Sequence, residues 1–206
     1  MYDIPVDRDQ SSSFSLINEI DGINTDPLIN KGTGYNYGLE LTMERFFSNN
    51  YYFLVTASLF NSKYRGSDGI LRNTAFDDNY ITNFLVGKDF KTGKHKQDVL
   101  SLNLKFILKG GDYYTPIDLD ASIKNNEEIL IDNLAFSDRA PAYMKLDFGI
   151  KYRHNFPKVS FVSSVDIQNV TDNVNIYNIF YNPDSKSIQN VSFIGIIPII
   201  NFRLEF

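Results

Sequence analysis

Hydrophobic and polar residues alternate along most of this chain with a period of two, the signature of strands with one apolar and one polar face. From Tyr35 to Phe47, one face carries Tyr35, Tyr37, Leu39, Leu41 and Met43, and the other Asn36, Gly38, Glu40, Thr42 and Glu44. From Val99 to Lys109, Leu100, Leu102, Leu104, Phe106 and Leu108 oppose Ser101, Asn103, Lys105 and Lys109, with Ile107 the single exception. Tyr143–Arg153 sets Met144, Leu146, Phe148, Ile150 and Tyr152 against Lys145, Asp147, Gly149, Lys151 and Arg153. The last segment sets Ile194, Ile196, Pro198, Ile200, Phe202, Leu204 and Phe206 against Asn201, Arg203 and Glu205. Tyr51–Phe60, Tyr80–Phe90 and Ser160–Val170 alternate less cleanly. The pattern predicts seven strands, near 34–47, 51–61, 80–90, 99–109, 143–153, 160–170 and 193–206.

The connections alternate too. Ser48-Asn49-Asn50, Lys91–Lys96 and His154–Lys158 are short, whereas about 61–79, 110–142 and 171–192 are long, and residues 1–33 read as the end of another long outer loop. An up-and-down barrel in an outer membrane has short turns at one end and long loops at the other. Strands of about 10–13 residues, tilted by about 40°, cover roughly 25–33 Å, enough for the apolar band of such a membrane. The expected fold is therefore all-β: an antiparallel up-and-down transmembrane β-barrel, represented here by about seven strands. Alternation alone fits a soluble or surface β-sandwich as well. Strand length, the regular change of connection length and the terminal Phe206 favour the barrel, where such a Phe would be the barrel-assembly signal.

Composition sharpens this picture. The chain has 13 Tyr and 17 Phe, and they concentrate near strand ends, as two interfacial girdles require. Tyr35, Tyr37, Tyr143 and Phe193 mark one level; Phe46, Phe47, Tyr51, Phe90, Tyr152, Phe161, Phe202 and Phe206 mark the other. No run of about 18 apolar residues predicts a membrane helix. Lys and Arg number 20 against 25 Asp and Glu, and with no basic surplus to neutralise phosphates a nucleic-acid partner is not expected. The absence of cysteine removes disulfides, thiolate metal sites and thiol nucleophiles. Met1–Arg8 has neither the basic nor the apolar region of an export signal, so an exported barrel is expected to start upstream of it.

Several stretches resemble the C-terminal barrel of a TonB-dependent outer-membrane receptor of the Bacteroidetes type. Asn30-Lys31-Gly32-Thr33-Gly34-Tyr35-Asn36-Tyr37-Gly38-Leu39-Glu40-Leu41 is similar to the family's GxGxxxGxEL opening of a late strand. Arg139-Ala140-Pro141-Ala142-Tyr143-Met144-Lys145-Leu146-Asp147 resembles its RxPxYxxxD strand start. Val165-Asp166-Ile167-Gln168-Asn169-Val170-Thr171-Asp172 resembles the strand before the last outer loop, and Gly195–Pro198 with Asn201–Phe206 the closing strand. The resemblance implies a larger, 22-stranded barrel of which these strands are the C-terminal ones, an N-terminal plug domain, coupling to the TonB complex through that plug, outer-membrane lipid as surroundings, and energised uptake of a small-molecule or glycan ligand such as an iron chelate or cobalamin. Plug, TonB box and export signal are not in these residues. A plug-free porin is the lesser relative of the same reading.

Candidate chemistry is sparse. The long 110–142 connection carries seven acidic residues against Lys124 and Arg139. It supplies the candidate ligand contacts Tyr113, Tyr114, Asp118, Asp120 and Arg139, the tyrosines for stacking on a sugar or chelate. Arg139-Ala140-Pro141 also reads as a device that sets how the next strand starts, because Pro fixes φ. Pro198 suggests a local bulge. His95 and His154 fall in separate short turns, and Asp77-Asp78 and Asp118-Leu119-Asp120 lack the converging oxygens of a Ca²⁺ site, so neither a metal nor a cofactor is expected. No GxSxG, HExxH, Walker A or paired catalytic carboxylate pattern occurs, and no enzymatic activity is expected.

Overall fold

A computed structural model describes residues 1–19 and 27–206. In chain order they form β1 (Tyr2–Asp7), a 3-10 turn (Leu16–Asn18), β2 (Leu28–Ser48), β3 (Tyr51–Arg65), β4 (Leu71–Asn73), β5 (Tyr80–Thr92), β6 (Asp98–Lys109) and β7 (Tyr113–Tyr114). Then come α1 (Leu119–Asn125), a second 3-10 turn (Asp132–Leu134), β8 (Asp138–Arg139), β9 (Tyr143–Asn155), β10 (Ser160–Gln168), β11 (Ile176–Asn182), β12 (Ser187–Ser192) and β13 (Ile197–Glu205). One antiparallel sheet runs β1-β2-β3-β5-β6-β9-β10-β13, with β4 beside β3. The long strands are neighbours in sequence order, so the sheet is an up-and-down meander. It is all-β and antiparallel but open: no sheet closes into a barrel. The other two sheets, β7-β8 and β11-β12, are two-stranded and belong to long connections. The facing second sheet of a β-sandwich is absent among the described residues.

Cross-strand partners share a face, so the register collects the alternating residues into rows. Phe53, Val86, Leu104, Phe148, Ile167 and Pro198 stand side by side across six strands. Met43, Val55, Phe84, Phe106 and Leu146 form the next row, and Leu102, Ile150, Val165 and Ile200 another. The opposite face carries Thr42, Thr56, Asn83, Ile107 and Lys145, then Tyr52, Gly87, Asn103, Gly149 and Asp166. Leu54 and Leu85 also lie on this second face, in the row of Glu44, Lys105 and Asp147, as does Ile107, the exception to the alternation of β6, between Asn83 and Lys145.

Much of the apolar face is uncovered. It is most open toward the two sides of the sheet, where Leu39 is 79% exposed and Leu41 66% on β2 and Phe202 71% on β13. A small buried cluster of Ile4, Val6 and Tyr64, backed by Ile17, Ile29 and Phe136, sits instead at the end where the long connections gather.

The short connections turn tightly. Asn49 and Asn50 have φ of 53° and 65°, the left-handed pair that suits a two-residue hairpin. The long ones hold more structure than alternation predicts. Residues 1–33, expected as one outer loop, contain β1, which pairs with Leu28–Gly34 and so starts β2 at Leu28; residues 20–26 of that span lie outside the described residues. β10 stops at Gln168 because Asn169 turns the chain at φ 51°. β13 starts at Ile197 rather than 193, the Phe193 N–H being held by the Asn175 carbonyl at 2.9 Å. The bulge expected at Pro198 is absent: the register runs unbroken from Ile197 to Glu205. As an edge strand, β13 has one side whose N–H groups need no partner, which tolerates proline.

Candidate functional site

At the long-connection end of the polar face, β5, β6 and β9 bring Ile81, Lys109 and Tyr143 into one row. Directly after Lys109 the chain bends through Gly110-Gly111. A Cβ on Gly110 would strike the Asp78 carbonyl oxygen, and one on Gly111 the Ala140 carbonyl oxygen, so only glycine lets the three segments approach this closely.

Arg139 closes the same junction. Its Nε donates to the Gly111 carbonyl at 3.0 Å and its Nη2 to the Asp78 carbonyl. Its guanidinium lies 5.3 Å from the Tyr113 ring centroid and 6.0 Å from that of Tyr80. Two main-chain carbonyls and two aromatic rings thus engage the guanidinium, which makes Arg139 a clamp on the scaffold.

Above the junction a two-lobed cleft separates the 110–142 connection from the β11–β12 hairpin. The lobes, about 440 Å³ and 350 Å³, share Lys109, Asp112, Ala140, Ile176, Tyr177 and Asn178. Tyr143 and Phe193 flank one lobe; Phe76, Tyr113 and Tyr114 flank the other. Each lobe has the size of a small-ligand site, and apolar walls with a few polar groups are the usual make-up of one. The hairpin wall is fixed by Phe193, packed edge-on against Tyr143 at 5.9 Å and Tyr177 at 5.2 Å. The Tyr181 N–H also donates to Glu128 Oε2 at 2.9 Å, tying hairpin to loop.

The charges on the floor neutralise one another. Lys109 Nζ donates to Asp112 Oδ1 at 2.7 Å and Asp78 Oδ1 at 3.3 Å. Burial, reinforced by the neighbouring Asp112 carboxyl, pushes the Asp78 carboxyl up to about 6 even though Lys109 opposes the shift.

Of the residues singled out in the sequence, Tyr113 and Tyr114 line the cleft and Arg139 supports it. Asp118 does not reach it: its side chain accepts the Ala121 N–H at 2.9 Å as the N-cap of α1, and Asp120 is exposed in the first turn of that helix. Phe76 and Tyr177 come from two other connections, and their only sequence signal is that each is an aromatic in a long linker. Phe193, expected as a girdle aromatic opening the last strand, instead follows the β11–β12 hairpin and flanks the cleft. Phe206 is fully exposed after the last strand.

Asn169 in the resemblance motif is 2% exposed and organises the next connection. Its N–H donates to Asp147 Oδ1 at 2.9 Å, and its amide exchanges hydrogen bonds with the Asn173 main chain at 3.0 and 3.2 Å. At the short-turn end, His154 Nδ1 meets Asp98 Oδ2 at 2.9 Å. Among the described residues no group of His and acidic side chains is arranged to hold a metal, and no helix is long and apolar enough to cross a membrane. Compared with known proteins, the chain matches no family model, no curated protein and no solved structure.

Proposed function

We propose that this chain is barrel wall and outer loops of a TonB-dependent outer-membrane receptor, with the cleft beside Tyr113, Tyr114 and Tyr177 as part of its ligand-contact surface. The observation that carries this reading is the register-aligned apolar face. It crosses the seven long strands, is largely uncovered, and has a polar face behind it. Hydrocarbon is the medium in which such a face is stable, and a membrane strand needs only alternate apolar residues. The polar face then belongs against water or a polar plug, because unpaired charges such as Lys105 are too costly in an apolar interior. Elaborated connections at one end and tight turns at the other fit the same orientation. The two free edges of the open sheet, β13 and the Tyr35–Ser48 stretch of β2, are then completed by the rest of a larger barrel. The partners implied are outer-membrane lipid, an N-terminal plug, TonB acting through that plug, and a small-molecule or glycan ligand.

The cysteine-free sequence makes the test direct. Single substitutions Leu102→Cys, Asn103→Cys, Leu104→Cys and Lys105→Cys, each carrying a fluorophore, are reconstituted in vesicles of brominated lipid. The reading expects strong quenching at 102 and 104 and weak quenching at 103 and 105. Uniform quenching, or a chain that stays in solution without lipid or detergent, sinks it.

A further inference from the structure

The charges of this sheet are divided between its ends. Residues 45–51, 88–98, 151–160 and 203–206 form the short-turn end. They hold nine of the chain's 20 Lys and Arg but three of its 25 Asp and Glu, leaving 11 basic against 22 acidic residues elsewhere. Two of those three acids are occupied. Asp98 is buried, accepting from the Tyr152 hydroxyl at 3.0 Å and the Asn155 N–H at 3.1 Å beside its contact with His154. Glu205 pairs with Arg153 and Arg203. Lys91, Lys94, Lys96 and Lys158 are exposed, and among the described residues none of them is ion-paired.

The position of two further cations gives the surplus its meaning. Arg45 and Lys88 lie on the apolar face, in the rows of Phe53 and of Leu102 and Ile150. The Arg45 guanidinium stands 4.3 Å from the Tyr51 ring centroid and Lys88 Nζ 5.1 Å from that of Phe90. Long cationic side chains beside aromatics at the rim of an apolar face keep their stems in hydrocarbon and their charges in the polar layer. Nucleic acid would satisfy the lysines but offer nothing to the adjoining apolar rows. A partner presenting hydrocarbon directly beside fixed negative charge is a membrane that contains anionic phospholipid.

We infer that the short-turn end binds anionic phospholipid headgroups. Arg45 and Lys88 reach them from the lipid-facing surface, and Lys91, Lys94, Lys96 and Lys158 from the turns. The inference rests on the membrane reading of the apolar face and adds a lipid preference and a polarity: the basic end lies in the anionic layer and the acidic connections point away from it.

The full chain is diluted from denaturant into vesicles of phosphatidylcholine alone, or of phosphatidylcholine with about one-third phosphatidylglycerol, and followed by co-flotation. The anionic vesicles are expected to take up the chain more strongly by on the order of tenfold at low salt, since each basic residue near such a surface adds attraction. About 1 M salt should erase the gain, because the screening length falls to about 3 Å. A variant carrying Lys91→Gln, Lys94→Gln, Lys96→Gln and Lys158→Gln should lose most of it. Equal uptake by both vesicles, or a quadruple variant that matches the parent on anionic vesicles, overturns the inference. The membrane reading fails differently: the chain would then ignore phosphatidylcholine vesicles and remain soluble, whatever it does with anionic ones.

Discussion

The Tyr52 hydroxyl donates to Asn103 Oδ1 at 3.0 Å, reaching from β3 to β6 over the bare backbone of Gly87 on the strand between them. A Cβ at Gly87 would collide with the Tyr52 ring, so the glycine is the slot and the tyrosine the piece that fills it. Tyr52→Phe should keep the ring seated and cost about 1 kcal/mol, the net worth of one hydrogen bond. Gly87→Val should cost more, because it displaces the ring as well. Urea unfolding of the detergent-refolded chain, followed by tyrosine fluorescence, measures both; a neutral Gly87→Val removes the packing argument.

Asn169 holds a left-handed turn at φ 51°, and its side-chain amide satisfies both the N–H and the carbonyl of Asn173. Asn169→Gly keeps the backbone conformation and loses the side chain. Asn169→Ala loses the side chain and adds the left-handed penalty, about 1 kcal/mol more. Limited proteolysis within 171–196 should therefore speed up in the order parent, Gly variant, Ala variant. Equal rates for the two variants would show that backbone strain plays no part.

The buried Asp78 carboxyl is proton-hungry in the folded chain, at about 6 against an ordinary 3.8. Between these values the folded state binds more protons than the unfolded one, so stability falls as pH rises through that window. Thermal melts from pH 4 to pH 6 should show a decline that flattens in Asp78→Asn. A parent whose midpoint rises over the same range contradicts the sign.

Arg139 spans two connections through a planar fork that lysine lacks. Arg139→Lys should leave the strands intact but loosen 66–79 and 110–112, read as faster amide exchange there. Unchanged exchange would mean that the glycine contacts alone hold the junction.

The strands were legible in the sequence because their physical cause is local. Successive side chains of an extended chain point to opposite sides, so Leu100, Leu102 and Leu104 declare a face without reference to any other strand. The same logic made the connections opaque. β7, α1, β8 and the β11–β12 hairpin are too short to show a period, and β1 is recognisable only once it pairs with Leu28–Gly34. Asp118 illustrates the difference: an acidic loop residue in the sequence, a helix cap in the fold.

What the sequence by itself determined is the antiparallel all-β character, the positions of the long strands and which residues share a face. Only the tertiary structure decided that the sheet stays open, that Phe76, Tyr113 and Tyr177 meet across one cleft, and that Lys109 is neutralised between Asp78 and Asp112. Apart from the local Lys109–Asp112 pair, the contacts among these residues join positions some 30 to 100 apart, as between Lys109 and Asp78 or between Phe76 and Tyr177. Alternation records the environment of each side chain, but it carries no information about which distant segment supplies that environment.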